Sequence, residues 1–381
     1  MLTSSHTMRV ALLILSFSAA CFRGQVLAED SSSLDQVNKT DQIKELDPAR
    51  AKNLVTKYRG QPLRLNGLPT VSAEVAKTLA THSDGLFLNG ISALQENAAE
   101  ALAACSGYLS LEGLAALESP ALARTLAGQA VTLHLNRLTK LAPPISDALA
   151  QCRAPLYLDG LHLLDSPRLA KTLAARGDAL MLVHLKELKS DVAAGFANTT
   201  CDLYLNGLDT LDASTAAHFA SHKGVLDLDG VDSLDEEVAA ALAKNQGAVD
   251  LGSVSKLSAE AASKLGTHRG AMCLGGLSEL EPDVARGLKS HVGHLQLTGL
   301  KSLSPEAAQE LVGCKGVIHL DGIDALNDAV AMVLATHRGA QEAGFVIGSD
   351  AMRELGDKAE AAIIRNSQIR QGNWFVRPTS P

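Results

Sequence analysis

The sequence predicts an α/β solenoid, a horseshoe with a parallel sheet on the concave side and helices on the convex side. Three observations predict it. A unit of 23 or 24 residues returns twelve times in the 381-residue chain, beginning at Leu63, Leu86, Leu109, Leu133, Leu156, Leu180, Leu203, Leu226, Val249, Met272, Leu295 and Ile318. Each unit opens on an L-x-L-like pair, the period-2 alternation of a strand with one face inward. Each continues into a stretch with Ala at position fourteen and Leu or Phe at position seventeen, which is the spacing of one helical face. Such a unit cannot bury its apolar side alone, whereas a stack of units shares one continuous core, so the repeat outweighs the two or three domains that length alone suggests.

Taken from the N-terminus, residues 1–28 read as an export signal, with Met8-Arg9, an apolar run from Val10 to Phe17 and a small-residue cleavage site at Val26-Leu27-Ala28. The apolar run is too short to span a bilayer. A rival processing site is Ser18-Ala19-Ala20-Cys21, similar to a lipoprotein lipobox, which would anchor the chain to a membrane through Cys21. Residues 29–42 are a polar tether. Residues 43–62, with Ala51 and Leu54, imitate the second half of a unit and form an N-terminal cap. The twelve units fill residues 63–340. Residues 341–381 are a C-terminal cap and tail, with a last strand at Phe345, Val346 and Ile347, a helix from Ser349 to about Arg365, and Trp374 covering the open end.

Within a unit each recurring residue has a mechanical task. Leu at position three is present in all twelve units. Gly at position five, in nine of twelve, lets the chain turn off the strand without a Cβ penalty. Ser, Asp or Glu then caps a helix, with Pro following in segments such as Ser304-Pro305-Glu306. Ala at position fourteen, replaced only by Ser146, marks the closest approach of helix and sheet, where a larger side chain does not fit. Gly near the end of the unit supplies a left-handed stop before the next strand.

The pattern L-x-L-x-G-L-x-x-L followed by a helix resembles the leucine-rich repeat, and the 23-residue length is similar to the type found in some bacterial exported proteins. One feature departs from the usual repeat: position six is Leu, Ile or Val, as in Leu300 and Ile323, where Asn or Cys is customary. The resemblance implies binding of a macromolecule on the concave sheet, without catalysis.

Composition agrees with thin regular layers, since apolar residues make up 46% of the chain and aromatics only 3%. Removal of residues 1–28 takes away Arg9 and Arg23 and no acid, which moves the net charge from -8 to -10. Nucleic acid is therefore not the expected partner. Motifs for hydrolysis, phosphate cradling or closed metal sites do not occur in the mature chain.

Position twenty, at the helix end, places His268, His291, Cys314 and His337 in four successive units. Their spacing makes a ladder in which His caps the last helix carbonyls and Cys fills the same half-buried slot, not a cage for one ion. The stretch at residues 226–237 has Asp227 and Asp229 but brings Gly230 too early for a calcium loop, and Asp235 reads as a helix cap.

Positions two and four of each unit face outward and are where a binding surface is written. Tyr157, Met181, Val183 and Tyr204 form an apolar and aromatic patch there, with Asp227, Asp229 and Asp250 as an acidic neighbour. The expectation is an exported, non-enzymatic, monomeric scaffold that holds a protein or peptide through these residues, without cofactor or metal. Its place is the periplasm, the cell surface or the medium. The alternative is a cell-envelope structural or glycan-binding protein, the partner then being cell-wall glycan.

Overall fold

Every unit of the sequence becomes one coil of a short strand, a turn, a short helix and a return loop, in a computed structural model that describes residues 39–128, 132–175, 177, 179–337, 344–348, 350–353, 355–366 and 369–372. The export signal, Cys21, residues 29–38 of the tether and Trp374 lie outside the described residues. The chain divides into two compact units, Met1–Arg176 and Gly177–Pro381.

The first unit holds a five-stranded parallel sheet whose strands, from Leu63–Arg64 to Leu156–Tyr157, lie side by side in chain order. A helix at Pro48–Lys57, capped by Asp47, precedes the first strand. The second unit holds a nine-stranded parallel sheet running from Leu180–Met181 to Ile369–Gly372, again in chain order. Its last strand, Ile369–Gly372, extends the sheet beyond Gly344–Gly348 and gave no repeat signal in the sequence. No helix among the described residues is long and apolar enough to cross a membrane.

The fold class is the one the repeat predicts. The position-three leucines are all buried, as are Ala at position fourteen and Leu or Phe at position seventeen. Strands of two residues suffice because each continues through its neighbour's backbone: Leu65 N–H, for example, donates to Phe87 O at 2.9 Å. The turn then closes on itself, with position six donating to the position-three carbonyl in every coil, as Leu68 does to Leu65 at 3.1 Å. That backbone bond takes over the task of the customary Asn, and the apolar side chain at position six goes into the core. Side chains of Ser72, Ser119, Ser166, Asp212, Asp235, Ser258, Ser304 and Asn327 accept the N–H three residues on, which starts eight of the helices. The two coils that carry Phe at position seventeen are also the ones whose helix tightens into a 3-10 turn, at Ala194–Phe196 and His218–Ser221.

The glycines act differently from the expectation. Among the described residues positive φ is confined to Gly60, Gly85, Gly177 and Gly344. The position-five glycines are instead required by close approach: a Cβ on Gly90 would run into the Asn66 carbonyl of the preceding coil. The same holds for most end-of-unit glycines, where a Cβ on Gly247, Gly270, Gly293 or Gly316 would strike the carbonyl of the glycine one coil earlier. Coil-to-coil spacing, not backbone handedness, selects glycine there.

Candidate functional site

In the second unit, strand register sets Met181 beside Tyr204, Tyr204 beside Asp227, Asp227 beside Asp250, and Asp250 beside Cys273 on one face of the sheet. Val183 and Asp229 occupy position four on the same face, both half-buried or exposed at the edge of this row. Tyr157 belongs to the first unit, where it stacks on His134 with ring centroids 4.3 Å apart and planes 4° from parallel. The structure therefore brings six of the seven sequence-selected residues into one unit.

The acidic part of the row is more deeply set than a solvated strand edge. Asp227 is only 4% exposed. Its Oδ1 accepts the backbone N–H of Asp229 at 3.0 Å, and Asp250 does the same for Gly252 at 3.0 Å. These two carboxylates thus satisfy position-four N–H groups that have left the strand ladder. Gly252 makes room for Asp229, since a Cβ there would sit 2.5 Å from the Asp229 Oδ1. Burial pushes the Asp227 carboxyl up to about 6, aided by the nearby charges of Asp250 and Asp229. Burial also raises Asp250, with Asp229 adding to it, and raises the Tyr204 hydroxyl to about 12, with Asp202 and Asp227 adding to it. The result is a set of crowded carboxylates whose charge lacks a cation partner in the ion pairs of the described residues.

The first unit carries a row that the sequence reading passed over. The Arg64 guanidinium lies 4.3 Å from the Phe87 ring centroid, Phe87 meets Tyr108 edge-on at 4.8 Å, Tyr108 meets His134 at 5.9 Å, and His134 stacks on Tyr157. Tyr108 stands one residue ahead of its strand and packs over Gly85, whose Cβ would lie 2.5 Å from the ring. Beside this row, side chains at position four hand hydrogen bonds from coil to coil. Asn66 Oδ1 accepts from Asn89 N–H at 3.1 Å, Asn89 Oδ1 from Glu112 N–H at 3.2 Å, and Asn136 Oδ1 from Asp159 N–H at 3.1 Å. The signal in the sequence was the series Arg64, Phe87, Ser110, His134, Tyr157 at position two, with small Ser110 leaving space for Tyr108.

Most of the described position-twenty residues are fully buried, Cys152 and Thr199 being half-buried, and Thr199 bonds its own helix end at Phe196 O whereas others reach further. Asn245 Nδ2 donates to Phe219 O at 2.9 Å, and His337 Nδ1 lies 2.8 Å from Val312 O, so these side chains reach the helix end of the preceding coil. Gln129 and Arg176 of the same column lie outside the described residues. His268 and His291 stack at 6.0 Å and neither ring nitrogen of either residue meets a partner at bonding distance among the described residues. Burial lowers both, His291 to about 4 with His268 contributing. Cys105 and Cys314 share the column, and burial raises their thiols to about 11 and about 12. These are unreactive side chains of a packed layer.

The in-register parallel strands, the buried Leu and Ala columns and the coil length decide the fold. Each coil is built like a leucine-rich-repeat coil. No protein-family model and no curated protein sequence matches the chain. Among solved structures, an internalin of Listeria monocytogenes is similar at 11% identity, with 91% of this chain and 96% of that one covered and a TM-score of 0.41. A yeast Rad7–Elc1 complex chain shows 14% identity, 97% and 98% coverage and a TM-score of 0.37. A leucine-rich-repeat protein of Leptospira interrogans shows 14% identity, 87% and 100% coverage and a TM-score of 0.34. The assignment of the fold rests on the coils of this chain and not on those superpositions.

Proposed function

We propose that this chain is a non-catalytic binding scaffold, and that the sheet face of its second unit takes a protein or peptide segment with apolar side chains beside Lys or Arg. The observation that carries this reading is the row Met181, Tyr204, Asp227, Asp250, in which apolar surface and crowded carboxylates adjoin in strand register. Apolar contact from Met181, Val183 and Tyr204 supplies affinity, and the carboxylates select and steer a cationic partner. A lysine or arginine placed among Asp227, Asp229 and Asp250 relieves their mutual repulsion, which gives the partner's charge a specific role. The same proposal includes export through residues 1–28 and action outside the cytoplasm.

The test is selection of a displayed random peptide library on the immobilised chain, with a glycan array in parallel. The reading expects enriched peptides that pair apolar residues with Lys or Arg and lose binding to a Tyr204→Ala chain. Enrichment of acidic peptides, or retention by Tyr204→Ala, contradicts it. Binding of neutral glycans with no peptide enrichment would transfer the assignment to the glycan alternative, with the Phe87, Tyr108, His134 and Tyr157 row and its amide neighbours as the surface to examine.

A further inference from the structure

Farther along the second sheet, and independent of the peptide-binding reading, two imidazoles converge. His294 opens the strand His294–Gln296, and His319 lies in the next strand, Val317–Leu320, as the Cα partner of Gln296. Nδ1 of His294 and Nε2 of His319 are 3.4 Å apart, and the rings stack with centroids 5.7 Å apart and planes 29° from parallel. Asp321 Oδ2 stands 3.6 Å from the other nitrogen of His319, Nδ1. His319 is held firmly, at 8% exposed, while His294 is half-buried.

Facing ring nitrogens at this separation can share one proton or one cation. A tetrahedral ion bound at about 2.0–2.1 Å by each of two imidazoles sets their nitrogens roughly 3.4 Å apart, which is the spacing observed. Asp321 adds the second element of such a site. At 3.6 Å this carboxylate is beyond hydrogen-bond distance, but its charge beside Nδ1 favours the tautomer protonated there, which leaves a lone pair on Nε2, the nitrogen that faces His294. Among the described residues no group of three or more His, Cys, Asp or Glu is placed to hold one ion. The pair by itself supplies two ligands, and the ion's remaining positions would be filled by other donors such as water.

We propose that His294 Nδ1 and His319 Nε2 chelate one divalent late-transition-metal ion, with the Asp321 charge favouring the required tautomer of His319. Imidazole pairs favour Zn²⁺, Ni²⁺ and above all Cu²⁺ over Mg²⁺ or Ca²⁺. The ion would sit between two adjacent strands of the second sheet.

The test is titration of the full chain with Cu²⁺ and with Zn²⁺ alone, followed by calorimetry and by electron paramagnetic resonance of the one-equivalent Cu²⁺ adduct. One equivalent with two imidazole nitrogens on copper is expected, and His294→Gln reduces the affinity at least tenfold and removes the two-nitrogen signature. Asp321→Asn weakens Zn²⁺ binding by less than His294→Gln does, while keeping both nitrogens. Because His294 is half-buried, its variant leaves the core in place, and a circular dichroism spectrum equal to the parent's verifies that. A chain that binds no equivalent, or a folded His294→Gln chain with unchanged affinity and spectrum, overturns the assignment.

Discussion

Asp227 and Asp229 are two residues apart on one coil, and the carboxylate of the first accepts the backbone N–H of the second at 3.0 Å. One side chain thus serves the fold through its oxygen and the surface through its charge. Replacement can separate the two. Asp227→Asn keeps an acceptor for that N–H, while Asp227→Ala leaves it unsatisfied at a cost of about 1–3 kcal/mol. Because burial raises the folded pKa of Asp227 to about 6, its ionisation opposes folding as pH rises through that value. Urea denaturation should therefore show Asp227→Asn gaining on the parent between about pH 4 and pH 6 and keeping a constant lead above that, with Asp227→Ala below Asp227→Asn throughout.

The buried histidines act in the opposite sense. Burial lowers His291 to about 4, and lowers His268 and His222 as well, so the unfolded chain takes up protons first as pH falls below the ordinary histidine range. Their contribution is fully present above about pH 6.5 and is lost progressively toward the folded value. For His291 alone this amounts to roughly 3 kcal/mol. Denaturant midpoints measured from neutral pH to about pH 4.5 should fall, and His291→Gln should reduce that slope. A parent and variant with parallel pH profiles would show that the ring is not buried as described.

Close packing between coils gives a second pair of expectations. Ala239 is fully buried at the contact of helix and sheet, so Ala239→Leu should lower stability by roughly 1–3 kcal/mol. A methyl on Gly247 would run into the Gly224 carbonyl, so Gly247→Ala should also lower the melting temperature. Gly128 is a fair control, because a Cβ there meets only ordinary contacts of 3.4 Å or more. Thermal melts of the three variants check this, and an unchanged Gly247→Ala would contradict the coil spacing.

Leu and Ala columns were legible because each coil repeats the same demand, and twelve copies average out local variation. What the sequence hid was the relation between coils. Nothing within one unit shows that the Gly90 Cβ faces the Asn66 carbonyl, so the glycines read as turn formers. Asp227 read as an outward strand residue, since alternation reports direction and not depth. Tyr108 escaped because it precedes the L-x-L window and reaches its neighbours only across the gap at Ser110. His337 was assigned to its own helix end, whereas stacking brings a neighbour's carbonyl closer.

Export makes a prediction independent of the fold. Mass spectrometry of the mature chain should find Glu29 as the first residue, following cleavage after Ala28. A lipid-modified Cys21 at the N-terminus would instead place the protein at a membrane surface.

The central claim, that the second sheet binds a cationic segment through Tyr204 and the Asp227 cluster, is tested most directly by one titration. A selected Lys-bearing peptide is bound to the full chain at about pH 7.5 and about pH 5, on either side of the Asp227 pKa. The account predicts affinity that falls at the lower pH and with added salt, a weaker and less pH-dependent Asp227→Asn, and a Tyr204→Ala weakened at every pH and salt concentration. Full affinity in both folded variants, with no dependence on pH, would contradict it.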